Sequence, residues 1–321
     1  MRIAIVTQRL HKRTGTEIVT RDMCKSLRDA GHSVCVLTTY AGPFAAEIRA
    51  LGLPVVTEPR QMPFAPDVAH LNHLNDIDNL FRTFPRCRGV YQHHAPAAGV
   101  PAAVRHPNIR YRVGISPLAC QQIERATGVP SDGILGNYVD LSSIPQVTAR
   151  PERPRRWLVV CHKKHAWTHY AKIAWLGFCH GAHCAAVGPR IFRRIRSIPA
   201  EAARFDLVFA SARCALESAA AGAGVIVTDY RGVAGFVTPD NVLHAWHHNF
   251  GGEMLTSPAH FDALEQAILC YDSQHAYDAA MTVQRLANLS QGLARWEAIY
   301  RDIAANQSPP NSDHFHDRRA A

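Results

Sequence analysis

Two series of short, nearly uninterrupted apolar runs, each followed by a helix-like stretch, constrain this chain more than any other feature. The runs include RIAIVT (2–7), SVCVLTT (33–39), WLVVC (157–161), DLVFA (206–210) and GVIVTD (224–229). A strand with one wet face alternates polar and apolar residues, and these do not. Such runs belong to parallel sheets covered by helices on both faces. At 321 residues the chain exceeds one ordinary core, and two α/β domains of roughly 150 residues are expected.

In the first series, a polar loop (QRLHKRTGTE) leads from RIAIVT into a helix carrying Ile18, Val19, Met23 and Leu27 and ending at Gly31. Further strands are expected at 54–56, 68–71, 89–92 and 112–116, with ILGNYVD (134–140) closing the first half. The stretch PQVTARPERPRR, rich in proline and arginine, reads as an extended linker. The second series then runs through WLVVC, the amphipathic HYAKIAWLGFCH, CAAVG (184–188), DLVFA and GVIVTD. The expected domains are therefore 1–147 and 148–304, with a polar tail at 305–321 expected to be disordered.

Composition excludes some classes. No apolar run reaches the roughly 20 residues of a membrane span, and the N-terminal order of apolar then basic residues is wrong for a secretory signal. Nine cysteines without a CxxC read as reduced thiols, implying a cytoplasmic setting. The net charge of +9 favours anionic partners. Its clusters, RLHKR (9–13), RPERPRR (150–156) and RRIR (193–196), lie on no long helix with interleaved aromatics, so nucleic acid is not the expected partner. Each run reads equally well as a solvated basic face. Cys179, His180, His183 and Cys184 in CHGAHC have no standard zinc spacing, and no metal is expected there.

The segments MRIAIV, AGHSVCVLT, PDVAHLNH, YQHHAP, VGISPLACQQI, GNYVDL and DLVFASARCALESAAAGAGVIVTDYRG, in this order and spacing, resemble a retaining glycosyltransferase of the GT-B type, most similar to family 4. The resemblance covers residues 1 to about 304. It implies two Rossmann-like domains facing a cleft, the first on the acceptor side and the second holding a nucleotide-diphosphate sugar. It gives Glu217 the role of accepting hydrogen bonds from the donor ribose. A carboxylate suits that role because it accepts two vicinal hydroxyls at once. The competing reading is an exposed helix acid paired with Arg213. His94 matches a family histidine under the donor sugar and is the catalytic candidate, with His93 a weaker one. His70 and His73 are candidates for lining the acceptor side, and Asn137 for shaping the hinge between the domains.

The chain also departs from the family pattern. The family's earlier glutamate falls here on Phe209, and Arg213 is a candidate to occupy the vacated space. The usual Arg and Lys pair for the diphosphate is absent in standard form; Lys163 and Lys164 are the closest candidates, and they read equally well as two solvated loop lysines. Their charge would offset the developing charge of the leaving group. The phosphate or acceptor loop keeps one glycine, Gly15, beside Thr16 and Arg13. Gly232, Val233 and Ala234 read as a turn whose amides cradle the donor.

The expected activity is metal-independent transfer of a hexose, with retention, from a nucleotide-diphosphate sugar to an acceptor hydroxyl. The sugar nucleotide is a co-substrate and no cofactor is expected. The acceptor class stays open among glycan, lipid-linked and small molecules, and the basic surface suits contact with the inner face of a membrane. The alternatives are a non-catalytic nucleotide-sugar binding module or degenerate transferase and, further off, a nucleotide-sugar epimerase.

Overall fold

The computed structural model describes residues 1–94, 105–144, 146–162 and 164–305. They form two α/β units: Met1–Tyr138 together with the chain from Leu289 onward, and Val139–Asn288.

The first unit runs β1 (Arg2–Arg9), α1 (Gly15–Asp29), β2 (Ser33–Tyr40), α2 (Ala45–Arg49), β3 (Val55–Val56), β4 (Val68–Leu71), α3 (Ile77–Thr83), β5 (Arg88–His93), β6 (Ile109–Gly114), α4 (Pro117–Thr127) and β7 (Gly133–Ile134). Its sheet has the order β3-β2-β1-β4-β5-β6-β7, and every pair is parallel. Successive side chains of β1 enter opposite cores. Ile3 and Ile5 join one cluster with Met23, Leu27, Trp296 and Tyr300, while Ala4 and Val6 join another with Leu80, Phe81 and Ile123. This two-sided burial explains the unbroken apolar run. Each fully buried aliphatic side chain contributes about 1.5–3 kcal/mol.

The second unit runs β8 (Arg156–Val160), α5 (Ala166–Cys179), β9 (His183–Val187), α6 (Ile198–Ala202), β10 (Leu207–Ala210), α7 (Arg213–Ala220), β11 (Gly224–Asp229), β12 (Gly232–Phe236), α8 (Val242–His247), α9 (Phe261–Leu269) and α10 (Ser273–Leu286). Its order is β12-β11-β10-β8-β9, parallel except for β12. Here too Leu158, Val208 and Val225 face one core, and Trp157, Leu207 and Phe209 the other.

The structure divides the chain differently from the expectation of a boundary at 147/148. The first crossing falls after Tyr138, and α11 (Leu289–Ala304) returns to the first unit. It returns because Trp296, Ile299, Tyr300 and Ile303 bury one face in the first core. Gly292 sits so close to the Tyr138 ring that a Cβ there would collide with it. The proline-rich stretch is not a free spacer. Arg150 donates to the carbonyls of Ala203 (2.9 Å), Ala221 (3.2 Å) and Gly222 (2.8 Å), placing a cation at the C-terminal end of α7. Tyr271 further donates to the Pro151 carbonyl at 2.9 Å. Of the segment 134–140 only Ile134 lies in a strand, the two-residue β7, and β6 begins three residues before its expected start. The expected tail lies outside the described residues from 306 onward.

Candidate functional site

In the second unit, the carboxyl ends of β10 and β11 and the start of α7 gather several charged groups. Arg213 Nε donates to Glu217 Oε1 at 2.7 Å, and both side chains are buried. The pair is therefore not an exposed helix couple. It is a buried carboxylate one turn into α7, where Ala215, Ser218 and Ala219 are buried too. Ala212, just before the helix, has φ 54° and ψ −139°, a conformation costing about 1–3 kcal/mol for a residue with a Cβ. Its amide donates to the carbonyl of Phe250, which is itself left-handed, as is Asn249. Two strained segments thus hold each other beside the start of α7.

Asp229, at the end of β11, accepts from Ser211 Oγ (3.2 Å), the Arg231 amide (2.9 Å) and Arg231 Nη2 (2.6 Å). None of these three side chains stood among the sequence candidates, although the end of a parallel strand is where ligand-binding residues collect. Phe209, at the position of the family's earlier glutamate, points into the core against Trp157. Lys164 is exposed in the turn before α5, and Lys163 lies outside the described residues. The expected turn at Gly232, Val233 and Ala234 is a strand: β12 pairs antiparallel with β11. The Val233 amide is engaged by the Ser257 carbonyl at 2.7 Å. A cradle of amides does not form there, because the apolar VAGF run is absorbed into the sheet edge.

In the first unit, the carboxyl ends of β4 and β5 carry a chain of hydrogen bonds with a determined direction. The Leu135 carbonyl can only accept, so Gln92 offers it Nε2 (3.2 Å) and turns Oε1 toward His70 Nε2 (3.3 Å). His70 must then carry its proton on Nε2, and Nδ1 accepts from Tyr300 (2.7 Å). The same Nε2 proton meets Asn72 Oδ1 at 3.1 Å, while Asn72 Nδ2 donates to Thr20 at 3.1 Å. His94 Nε2 also faces Asn72 Oδ1, at 2.7 Å, and so donates. The network therefore puts a proton on His94 Nε2.

The other histidines divide clearly. His93 is buried structure, accepting from Tyr91 (2.8 Å) and donating to Gln122 (2.7 Å). His73 takes the Gln8 amide on Nδ1 at 3.3 Å, and burial lowers its pKa. Gly15 and Thr16 open α1 as helical residues, so the single glycine starts a helix and makes no separate loop. Glu17 in that first turn is raised above the ordinary carboxylate range by burial. The first unit also has a small pocket of about 10 Å3, lined in part by Asp22, Gln92, Asn137 and Trp296.

Burial holds His70 in the first unit and His169 in the second down to about 4. Because the folded pKa lies below the ordinary value near 6.5, this part of the stability is intact above pH 6.5. It is lost as pH falls toward 4, since the unfolded chain takes up the protons. Urea midpoints measured from pH 7.5 to 4.5 are expected to fall steadily, by up to about 3 kcal/mol for each histidine. A flat profile across this window would show that neither ring is held neutral.

Among the described residues, no group of three or more His, Cys, Asp or Glu is placed to hold a metal ion. His180 of CHGAHC is held by Glu265 at 2.9 Å. No described helix is long and apolar enough to cross a membrane.

No protein-family model and no curated protein sequence matches the chain. Solved structures match it over nearly its whole length. Anabaena HepE in complex with UDP-glucose has a TM-score of 0.64 at 14% identity, covering 94% of this chain and 100% of that one. The fold is GT-B. A glycosyltransferase from Rickettsia africae superposes with a TM-score of 0.61 at 14% identity, covering 95% and 99% of the two chains. A Listeria monocytogenes protein assigned as a UDP-N-acetylglucosamine 2-epimerase reaches 0.54 at 9% identity, covering 97% and 98%.

Proposed function

We propose that this chain is a glycosyltransferase that moves a hexose from a nucleotide-diphosphate sugar to an acceptor hydroxyl, with retention and without a metal. The buried Glu217–Arg213 pair at the head of α7 is the observation that carries this reading. Arg213 neutralises and aims the carboxylate that takes the ribose hydroxyls. The similar structures of HepE with UDP-glucose, and of the glycosyltransferase VinC with dTDP, support a nucleotide-linked ligand for this fold.

In the proposed step, the acceptor oxygen bonds to the anomeric carbon as the bond from that carbon to the diphosphate breaks. The pair of electrons leaves with the phosphate oxygen, which receives the acceptor proton on the same face. His94 contacts a sugar hydroxyl and orients the ring, and Lys164 and Lys163 offset the departing charge. Thr16 and His73 contribute to the acceptor side.

The position of Phe209 supports a second reading, in which the chain binds a sugar nucleotide without turning it over. Thermal unfolding with UDP, GDP, ADP, CMP and dTDP tests the donor site. One nucleotide at about 100 times its dissociation constant is expected to add about 2.7 kcal/mol. That donor's sugars should then release nucleotide faster when acceptor is added. Stabilisation with no release under any acceptor would select the binding module, and no stabilisation by any nucleotide would remove the donor site altogether.

A further inference from the structure

From Arg153 to Ala200 the sequence holds ten lysines and arginines and no aspartate or glutamate. This segment builds one edge of the second unit: β8, α5, the edge strand β9 and the turn that follows it. Upon that basic edge lies an apolar stripe. Trp167, Ala171, Trp175 and Phe178 recur at helical spacing within an arc of about 80° on α5, over a length of about 16 Å. None of the four is charged, and the three aromatic side chains are 57%, 59% and 76% exposed. Phe192, in the turn beside α5, is 89% exposed and sits at φ 61° between the exposed Arg190, Arg193 and Arg194. Among the described residues, Asp206 takes Arg156, Glu201 takes Arg193, and Glu265 on α9 takes His180.

We propose that this face docks on an anionic lipid bilayer, with the α5 stripe and Phe192 entering the headgroup boundary and the arginines meeting acidic headgroups. An apolar helix face flanked by arginine, with tryptophan at the water boundary, is the composition of an interfacial helix. A nucleic-acid site would instead intersperse its stacking rings among the cations along a groove. Here three rings share one face of α5, with Trp175 and Phe178 6.0 Å apart, and the arginines lie off that helix. The proposal does not depend on the nucleotide-sugar reading, because membrane binding is measured without a donor.

The test is co-sedimentation of the full chain with phosphatidylcholine vesicles, with and without phosphatidylglycerol. The chain is expected to pellet with the anionic vesicles and to be released as salt rises well above about 0.1 M. Trp175→Ser with Phe178→Ser, and separately Arg193→Gln with Arg194→Gln, should each weaken partition at least about tenfold. Ala171→Asp, which puts one charge in mid-stripe, should act likewise while keeping both rings. All these positions are exposed, so unfolding midpoints are expected to stay level with the parent. Absence of vesicle binding, or equal binding to neutral and anionic vesicles, would overturn the proposal. So would retention of single-stranded DNA in place of vesicles, or a self-associated form that the stripe variants disperse. Turnover without vesicle binding sinks this proposal alone, and vesicle binding without nucleotide binding sinks the transferase alone.

Discussion

Replacing Arg213 by alanine is expected to lower the stability of the chain by about 3–5 kcal/mol, because Glu217 would be left buried without its charged neighbour. The double replacement Arg213→Met with Glu217→Leu should recover most of that loss, since a buried ion pair is often no more stable than apolar residues of similar volume. Nucleotide binding is expected to behave in the opposite way. The double variant should be folded and blind to every nucleotide, because the acceptor for the ribose is gone. Glu217→Gln, which keeps the shape and removes the charge, should weaken the preferred nucleotide by about ten- to a hundredfold, the cost of one charge-assisted hydrogen bond. Urea unfolding and titration calorimetry on the same three variants separate the two roles. If the double variant keeps full nucleotide affinity, the pair is structural and the ribose is held elsewhere.

The second large effect concerns turnover. His94→Ala is expected to reduce the rate of sugar transfer by about 10²–10⁴-fold, with nucleotide affinity nearly unchanged. The hydrogen-bond chain adds a sharper expectation. Nitrogen-15 NMR of the parent should find the His94 proton on Nε2, as the direction propagated from the Leu135 carbonyl through Gln92, His70 and Asn72 requires. Tyr300→Phe removes the hydroxyl that His70 Nδ1 accepts from, leaving a buried acceptor unsatisfied at about 1–3 kcal/mol. The His94 proton should stay on Nε2 in that variant, because Gln92 still sets the direction of the chain. A parent His94 protonated on Nδ1 would refute the relay. A correct tautomer with no effect of His94→Ala on transfer would refute the catalytic role.

Much of the fold was legible because its physical cause is local. A strand buried on both faces has no polar alternation, so RIAIVT, SVCVLTT and GVIVTD declared themselves as sheet interior. Glu217 stood out because one acid in an Ala-rich helix is costly to bury without a partner, and the structure supplies Arg213. What reading along the chain missed has a common origin. GVAGF reads as a glycine turn by composition, and its neighbours in β11 make it a strand. PQVTARPERPRR reads as a spacer by its prolines, and the carbonyls at the end of α7 pin it through Arg150. Tyr300 gave no signal at all, being 230 residues from the histidine it serves.

The sequence by itself determined the alternating α/β class, the two-unit plan, and the candidate carboxylate and histidines. Hydrophobic period and turn chemistry act over a few residues, and those features need nothing longer. Only the tertiary structure decided that α11 belongs with the first unit, that Arg213 and Glu217 are a buried pair, and which nitrogen of His94 holds the proton. Each of these depends on what a side chain meets after the chain has closed on itself. Desolvation and hydrogen-bond direction are properties of that meeting, not of the residue.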